Sequence, residues 1–158
     1  MKDIISETFT KLGLKFERFD EKERTIFQLG MALDNGKSDC IIDINETTDK
    51  ILIYFYLPST FPKNKRNLAA EYITRANFDL LIGNFDLDYN DGEVRYRCSY
   101  VYDKYSDTHE ELAFLRYFIA SCKKMDKHLP GFRSRIYSNV TPQDALMYVE
   151  NAVNPAAN

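Results

Sequence analysis

The chain has 158 residues, 44% apolar and 14% aromatic with 11 Tyr and 11 Phe, enough for one ordinary core and unlike a disordered composition. A formal charge of -3 and a pI near 5.4 speak against a nucleic-acid binder, which needs a clustered excess of Lys and Arg. The longest uncharged run, Ile51 to Pro62, is too short and too rich in proline to span a bilayer, so no membrane partner is expected.

Ile5, Phe9 and Leu12 fall at helical spacing before Gly13, which predicts a short first helix. Its acids, Asp3 and Glu7, stand where a signal peptide needs a basic end and an apolar run, so no export signal is expected. Lys15 to Phe19 reads as a short strand before a charged turn. Arg24 to Leu33 and Lys37 to Asn45 read as a hairpin about Asn35-Gly36, pairing Met31 with Cys40, Leu29 with Ile42 and Phe27 with Ile44. Ile51 to Leu57 is apolar on both faces, which predicts a central strand or one whose second face meets something: Ile51, Ile53, Phe55 and Leu57 point one way, Leu52, Tyr54 and Tyr56 the other.

Pro62 precedes a helix with Leu68, Ala69, Tyr72, Ile73, Ala76 and Leu80 on one face, and the Lys63 to Arg66 cluster at its start reads as a solvated loop. Asn77 and Asn84 bracket Gly83, where Asn side chains suit the orphan backbone groups of a helix end and a strand start. Asp91-Gly92 then centres a second hairpin. It pairs Tyr89 with Val94, Leu87 with Tyr96 and Phe85 with Cys98 on an apolar face, and Asp88 with Arg95 and Asp86 with Arg97 on a charged one. A long helix from about Thr108 to His128 is expected to bury Leu112, Leu115, Ile119, Cys122 and Met125 and to end at Pro130-Gly131. Residues 112 to 137 carry Arg116, Lys123, Lys124, Lys127, Arg133 and Arg135 against the single Asp126, a local basic patch. Thr141-Pro142-Gln143-Asp144 opens a last helix with a capping hydroxyl, and Leu146, Val149 and Val153 give it a core face. One domain over residues 1–153 is expected, with a frayed tail at 154–158.

Catalytic chemistry finds no support. Asp86, Asp88, Asn90 and Asp91 suggest a calcium loop, but Gly92 falls one residue late and Arg97 occupies the place of the bidentate Glu, so no metal is expected. His109 and His128 lie nearly 30 Å apart on one helix at ~1.5 Å per residue. No nucleophile and base arrangement or phosphate-cradling glycine loop is present, and neither an enzyme nor a cofactor is expected. Cys40, Cys98 and Cys122, odd in number and without metal-ligand spacing, read as reduced core thiols in a cytoplasmic protein.

Three stretches resemble one family. The Thr74 to Asn77 helix end, the Gly83 to Asp88 run Gly-Asn-Phe-Asp-Leu-Asp, and the Asp91 to Arg97 run Asp-Gly-Glu-Val-Arg-Tyr-Arg look like the YbjN family of bacterial sensory transduction regulators. The resemblance extends to the order of elements and implies a fold similar to that of the dimeric type III secretion chaperones. It also implies protein binding without catalytic residues. Together the two readings give an α+β domain, a mostly antiparallel sheet of five or six strands with helices packed on it. Its order is helix, strands, helix, β-hairpin, long helix, helix. The expected function is a non-catalytic, protein-binding regulatory or chaperone-like module, with a ligand-sensing regulatory domain carrying a small-molecule pocket as the alternative. Candidate protein-binding residues are Tyr54, Tyr56, Asp86, Asp88, Arg95 and Arg97. The two-sided strand predicts a homodimer, since a symmetric copy, a helix or a client must cover its second face.

Overall fold

The amphipathic opening forms α1 (Lys2–Lys11), which turns Ile5 and Phe9 into the core and stops at Gly13. There the N–H of Gly13 bonds to Thr10 O and that of Leu14 to Phe9 O, a closure that needs the positive φ of glycine. Leu12, placed in the core by its spacing, is half exposed because it sits at the cap rather than on the packed face. The computed structural model describes residues 1–105, 107–138 and 140–153, so the tail at 154–158 lies outside the described residues.

Six strands follow as one antiparallel sheet in the order β1-β2-β3-β4-β6-β5: β1 (Glu17–Asp20), β2 (Arg24–Leu33), β3 (Gly36–Asn45), β4 (Lys50–Tyr56), β5 (Asn84–Leu87) and β6 (Val94–Val101). The α+β architecture and the expected order of elements are those observed, with β4 in the interior of the sheet. β1 starts later than predicted because Phe16 turns inward, its ring 5.6 Å from Phe9 and 5.7 Å from Phe27. One face of the sheet carries Phe27, Ile42, Ile44, Ile51, Ile53, Phe55, Phe85 and Tyr96, all at most 2% exposed. Each such side chain contributes about 1.5–3 kcal/mol of burial.

Both hairpins keep the expected faces but slip by two residues from the expected register. In the first, Leu33 pairs with Gly36, Leu29 with Cys40 and Phe27 with Ile42, so the turn is Asp34-Asn35 rather than Asn35-Gly36. In the second, Leu87 pairs with Val94, Phe85 with Tyr96 and Asp86 with Arg95, and the turn lengthens to Tyr89–Gly92. A slip of two preserves which side chains face the core, so alternation alone could not exclude it. Tertiary anchors decide both turns. Asn35 donates its backbone N–H (2.7 Å) and Nδ2 (3.2 Å) to the Asp126 carboxylate, while Arg133 donates to Asn35 O. Arg66 donates to the carbonyls of Tyr89, Asn90 and Phe61 at 2.7, 3.1 and 3.2 Å, so it is a clamp and not part of a solvated loop. Gly92 has φ +85, and a Cβ there would stand 2.0 Å from Phe61 O.

α2 (Arg66–Phe78) follows a 3-10 turn at Lys63–Lys65 and buries Ala69, Tyr72, Ile73 and Ala76, as its stripe predicts. Asn77, at its end, donates Nδ2 to Phe85 O (2.9 Å) and accepts the Phe85 N–H on Oδ1 (2.8 Å). The amide thereby acts as a short surrogate strand along the edge of β5. This is the backbone-satisfying role expected of it.

α3 (Asp107–Tyr137) does not end at Pro130-Gly131 but runs through it. Proline has no N–H to return to the carbonyl four residues earlier, Asp126. That carbonyl instead accepts Asn35 Nδ2 at 3.3 Å, so the docked turn compensates the break. Gly131 lets Tyr72 pack against the helix: a Cβ would meet its hydroxyl at 2.2 Å. The buried stripe of α3 is Phe114, Phe118, Ser121, Met125, His128, Leu129 and Phe132, whereas Leu112 and Ile119 are 52% and 46% exposed. Of the expected stripe Met125 is buried and Leu115 and Cys122 are half-buried, but Leu112 and Ile119 give way to aromatic residues, which bury more area and claim the core-facing positions. α4 (Pro142–Val153) is capped by Thr141 Oγ1, which accepts the Asp144 N–H, and buries Ala145 and Val149. The side chain of Val153 lies outside the described residues.

Candidate functional site

The second face of the sheet is built by the alternate positions of the same strands. In register across it run Ile26, Asp43, Leu52 and Ser99; then Gln28, Ile41, Tyr54, Arg97 and Asn84; then Gly30, Asp39, Tyr56, Arg95 and Asp86. Phe19 of β1 extends the first row beside Ile26 and is about half exposed. The core cluster includes none of Phe19, Ile26, Ile41, Leu52, Tyr54 or Tyr56, and among the described residues no helix packs over them. Side chains that alternation would bury in a two-layer protein are therefore left half-buried.

Five of the six candidate residues meet on this face. The Tyr54 and Tyr56 rings lie 6.1 Å apart, and the Arg95 guanidinium sits 4.8 Å from the Tyr54 ring centroid. The Arg95 guanidinium also lies near the Tyr56 hydroxyl. Burial raises the pKa of that hydroxyl against the pull of Arg95, so it stays protonated at neutral pH. Asp86 pairs with Arg97, Nε 2.9 Å from its carboxylate, and with Arg95, Nε 3.5 Å away. Asn84 donates Nδ2 to Asp86 Oδ1, so Asn84 serves this surface rather than an orphan backbone group.

Asp88 stands apart. The register slip places it at the start of the turn, where Oδ1 accepts the Asn90 N–H at 2.7 Å, and the expected pairing with Arg95 is absent. Asp91 likewise accepts the Glu93 N–H at 2.8 Å. Such a surface can do recognition chemistry: tyrosines join apolar area to a hydroxyl, and a stacked arginine offers planar donors without full hydration.

Elsewhere the titratable groups serve the core. His128 is 3% exposed, its Nδ1 2.9 Å from the Tyr72 hydroxyl. Burial, with Lys127 and Lys124 nearby, draws its pKa down to about 3, so the ring is neutral and shares a hydrogen bond with the tyrosine hydroxyl. Sequence reading had weighed His128 only as a metal ligand, and nothing in its spacing reveals Tyr72 as its partner. Cys40, Cys98 and Cys122 are free thiols, and burial raises the pKa of each. Among the described residues no three His, Cys, Asp or Glu groups stand close enough to hold a metal ion. Likewise among them, no helix is long and apolar enough to cross a membrane.

Comparison with known proteins places these features in context. The YbjN family, described as "Putative bacterial sensory transduction regulator", matches residues 2–130. Among solved structures, the chain is similar to "YbjN, a putative transcription regulator from E. coli", at 18% identity and a TM-score of 0.55, over 80% of this chain and 87% of that one. At that identity the likeness is one of fold. Weaker similarity reaches a chain of the HopA1-SchA chaperone-effector complex (16% identity, 80% and 89% covered, TM-score 0.46). A chain of the ExsC-ExsE complex follows (14%, 81% and 92% covered, TM-score 0.37). No curated protein matches the chain.

Proposed function

The chain belongs to the YbjN family, and from that premise we propose that it is a non-catalytic, protein-binding regulatory or chaperone-like module that works through the open face of its sheet. The observation that carries the reading is the state of β4: Leu52, Tyr54 and Tyr56 are half-buried, outside the core cluster, and flanked by Arg95 and Arg97. An apolar surface this central to a sheet is costly to leave in water, and its tyrosine and arginine content is that of protein-recognition surfaces. The binding residues of the proposal are Tyr54, Tyr56, Asp86, Arg95 and Arg97, with Asp88 at the margin in the turn.

A second copy of the chain is the first occupant proposed for this face, giving a homodimer, and a protein client the second. A reducing cytoplasm is the compartment proposed, consistent with three unpaired cysteines. Sedimentation equilibrium at micromolar concentration, on the wild type and on Tyr54→Ser with Tyr56→Ser, tests the dimer. A mass of twice 18.5 kDa that falls to the monomer in the variant is expected. A monomer in both refutes self-association, and pull-down from native lysate with the same pair then tests the client. A protein held by the wild type and released by the variant supports the reading; one held equally by both refutes it.

A further inference from the structure

We propose that the groove between the β2–β3 turn, the exit of β4 and α3 binds a small amphipathic carboxylate, its head on Lys37 and Arg133 and its hydrocarbon on Leu57, Pro58 and Leu129. The groove encloses about 530 Å³, within the ~300–1,000 Å³ usual for small-molecule sites. Its apolar wall is rigid: Leu57 and Leu129 are almost wholly buried, Leu57 N–H bonds to Val94 O, and α3 is continuous beneath.

Its polar wall is rich in donors and free of acids. Lys37, Arg133 and Ser59 line it and no carboxylate does. Among the described residues neither cation has an ion-pair partner within 4.0 Å. Arg133 is held in place by its bond to Asn35 O, 3.1 Å, which leaves its other N–H groups to turn outward.

A guanidinium fork and an ammonium above an aliphatic floor select a carboxylate with an apolar body. Lys37 precedes Asp39 by two positions on β3 and so stands at the turn end of the open sheet face, but the test of this site involves no protein partner.

The probes are octanoate, with 1-octanol and octylammonium as controls, measured by calorimetry and by amide shifts in NMR. Octanoate should bind with a Kd below ~1 mM, shift the amides of Lys37 and Ser59, and exceed both controls at least ~tenfold. Lys37→Gln with Arg133→Gln should weaken octanoate by ~tenfold or more while leaving octanol unchanged. Because Arg133 also steadies the turn, Lys37→Gln alone is the second variant: its side chain makes no bond in the fold, and it should weaken octanoate ~threefold or more at unchanged stability. Octanol binding as tightly as octanoate, affinity unmoved by Lys37→Gln, shifts confined to other surfaces, or no binding of octanoate would each overturn the proposal.

Discussion

The two faces of the sheet are made by the same six strands, and β4 shows the difference between them residue by residue. Ile51, Ile53 and Phe55 are fully buried under the helices, while Leu52, Tyr54 and Tyr56 alternate with them on a face that no helix among the described residues covers. Apolar content alone would not separate the two sets. What separates them is chemistry: the covered face is aliphatic and aromatic, its polar tips bonded to backbone as Tyr96 is to Ile82 O or, like the Tyr100 hydroxyl, buried without a hydrogen-bond partner among the described residues. The open face joins rings to guanidinium groups and carboxylates in reach of solvent. A sheet can thus be packed on one side and presented on the other by a strand with no polar alternation.

The largest expected effect tests the covered face. Phe55→Ala should cost about 3–5 kcal/mol in urea melts, against under ~1.5 kcal/mol for Tyr54→Ala one residue away; similar losses at both positions would erase the distinction. Acid should find the next weakness behind the covered face. His128 has a folded pKa of about 3, below the ordinary 6.5, so the unfolded chain takes up the proton first as pH falls. The stabilising contribution is therefore complete above about pH 6.5 and is lost as the pH drops towards 3. Between pH 7 and pH 4 the wild type should lose about 3 kcal/mol more than His128→Asn, read from denaturant melts at each pH; parallel curves would mean that the imidazole is solvated.

The sheet edge sharpens the comparison. Asn77→Ala removes both bonds to Phe85 and should cost about 1–2 kcal/mol, with faster hydrogen exchange confined to β5; an unchanged β5 would show that the surrogate strand is ornamental. Smallest of all is the ion pair of the open face. Asp86→Asn with Arg97→Gln should change stability by less than ~1 kcal/mol, and a loss of several kcal/mol would show that this face is covered within the monomer.

The sequence carried the fold well where period and pattern had no competitor. The six strands, the Gly13 stop, the α2 stripe and the Thr141 cap follow from local signals. The two-sidedness of Ile51 to Leu57 pointed to the open face before any coordinates. Misreadings arose where distant residues settled a local choice. Both hairpins slip by two in register from the pairing that the strongest turn dipeptide implies, because Asp126 and Arg133 hold one turn and Arg66 holds the other. Pro130-Gly131 reads as a terminator in any window, yet the helix continues because Asn35, ninety-one residues from Asp126, takes the carbonyl that proline frees. Of the candidate site, the Tyr and Arg positions were readable from alternation, but Asp88 was misplaced by the register slip, and the stacking of Arg95 on Tyr54 left no mark in the sequence.

The central claim, that the open sheet face is where a protein partner binds, is tested most directly by placing a photo-activated benzophenone side chain at Tyr54 and, for comparison, at Asn67 on the exposed side of α2. Irradiation of the native chain in lysate, read by mass spectrometry, should give a discrete adduct from position 54, either to a second copy or to one client, and none from position 67. Adducts of equal yield at the two positions, or none at position 54, would contradict the account.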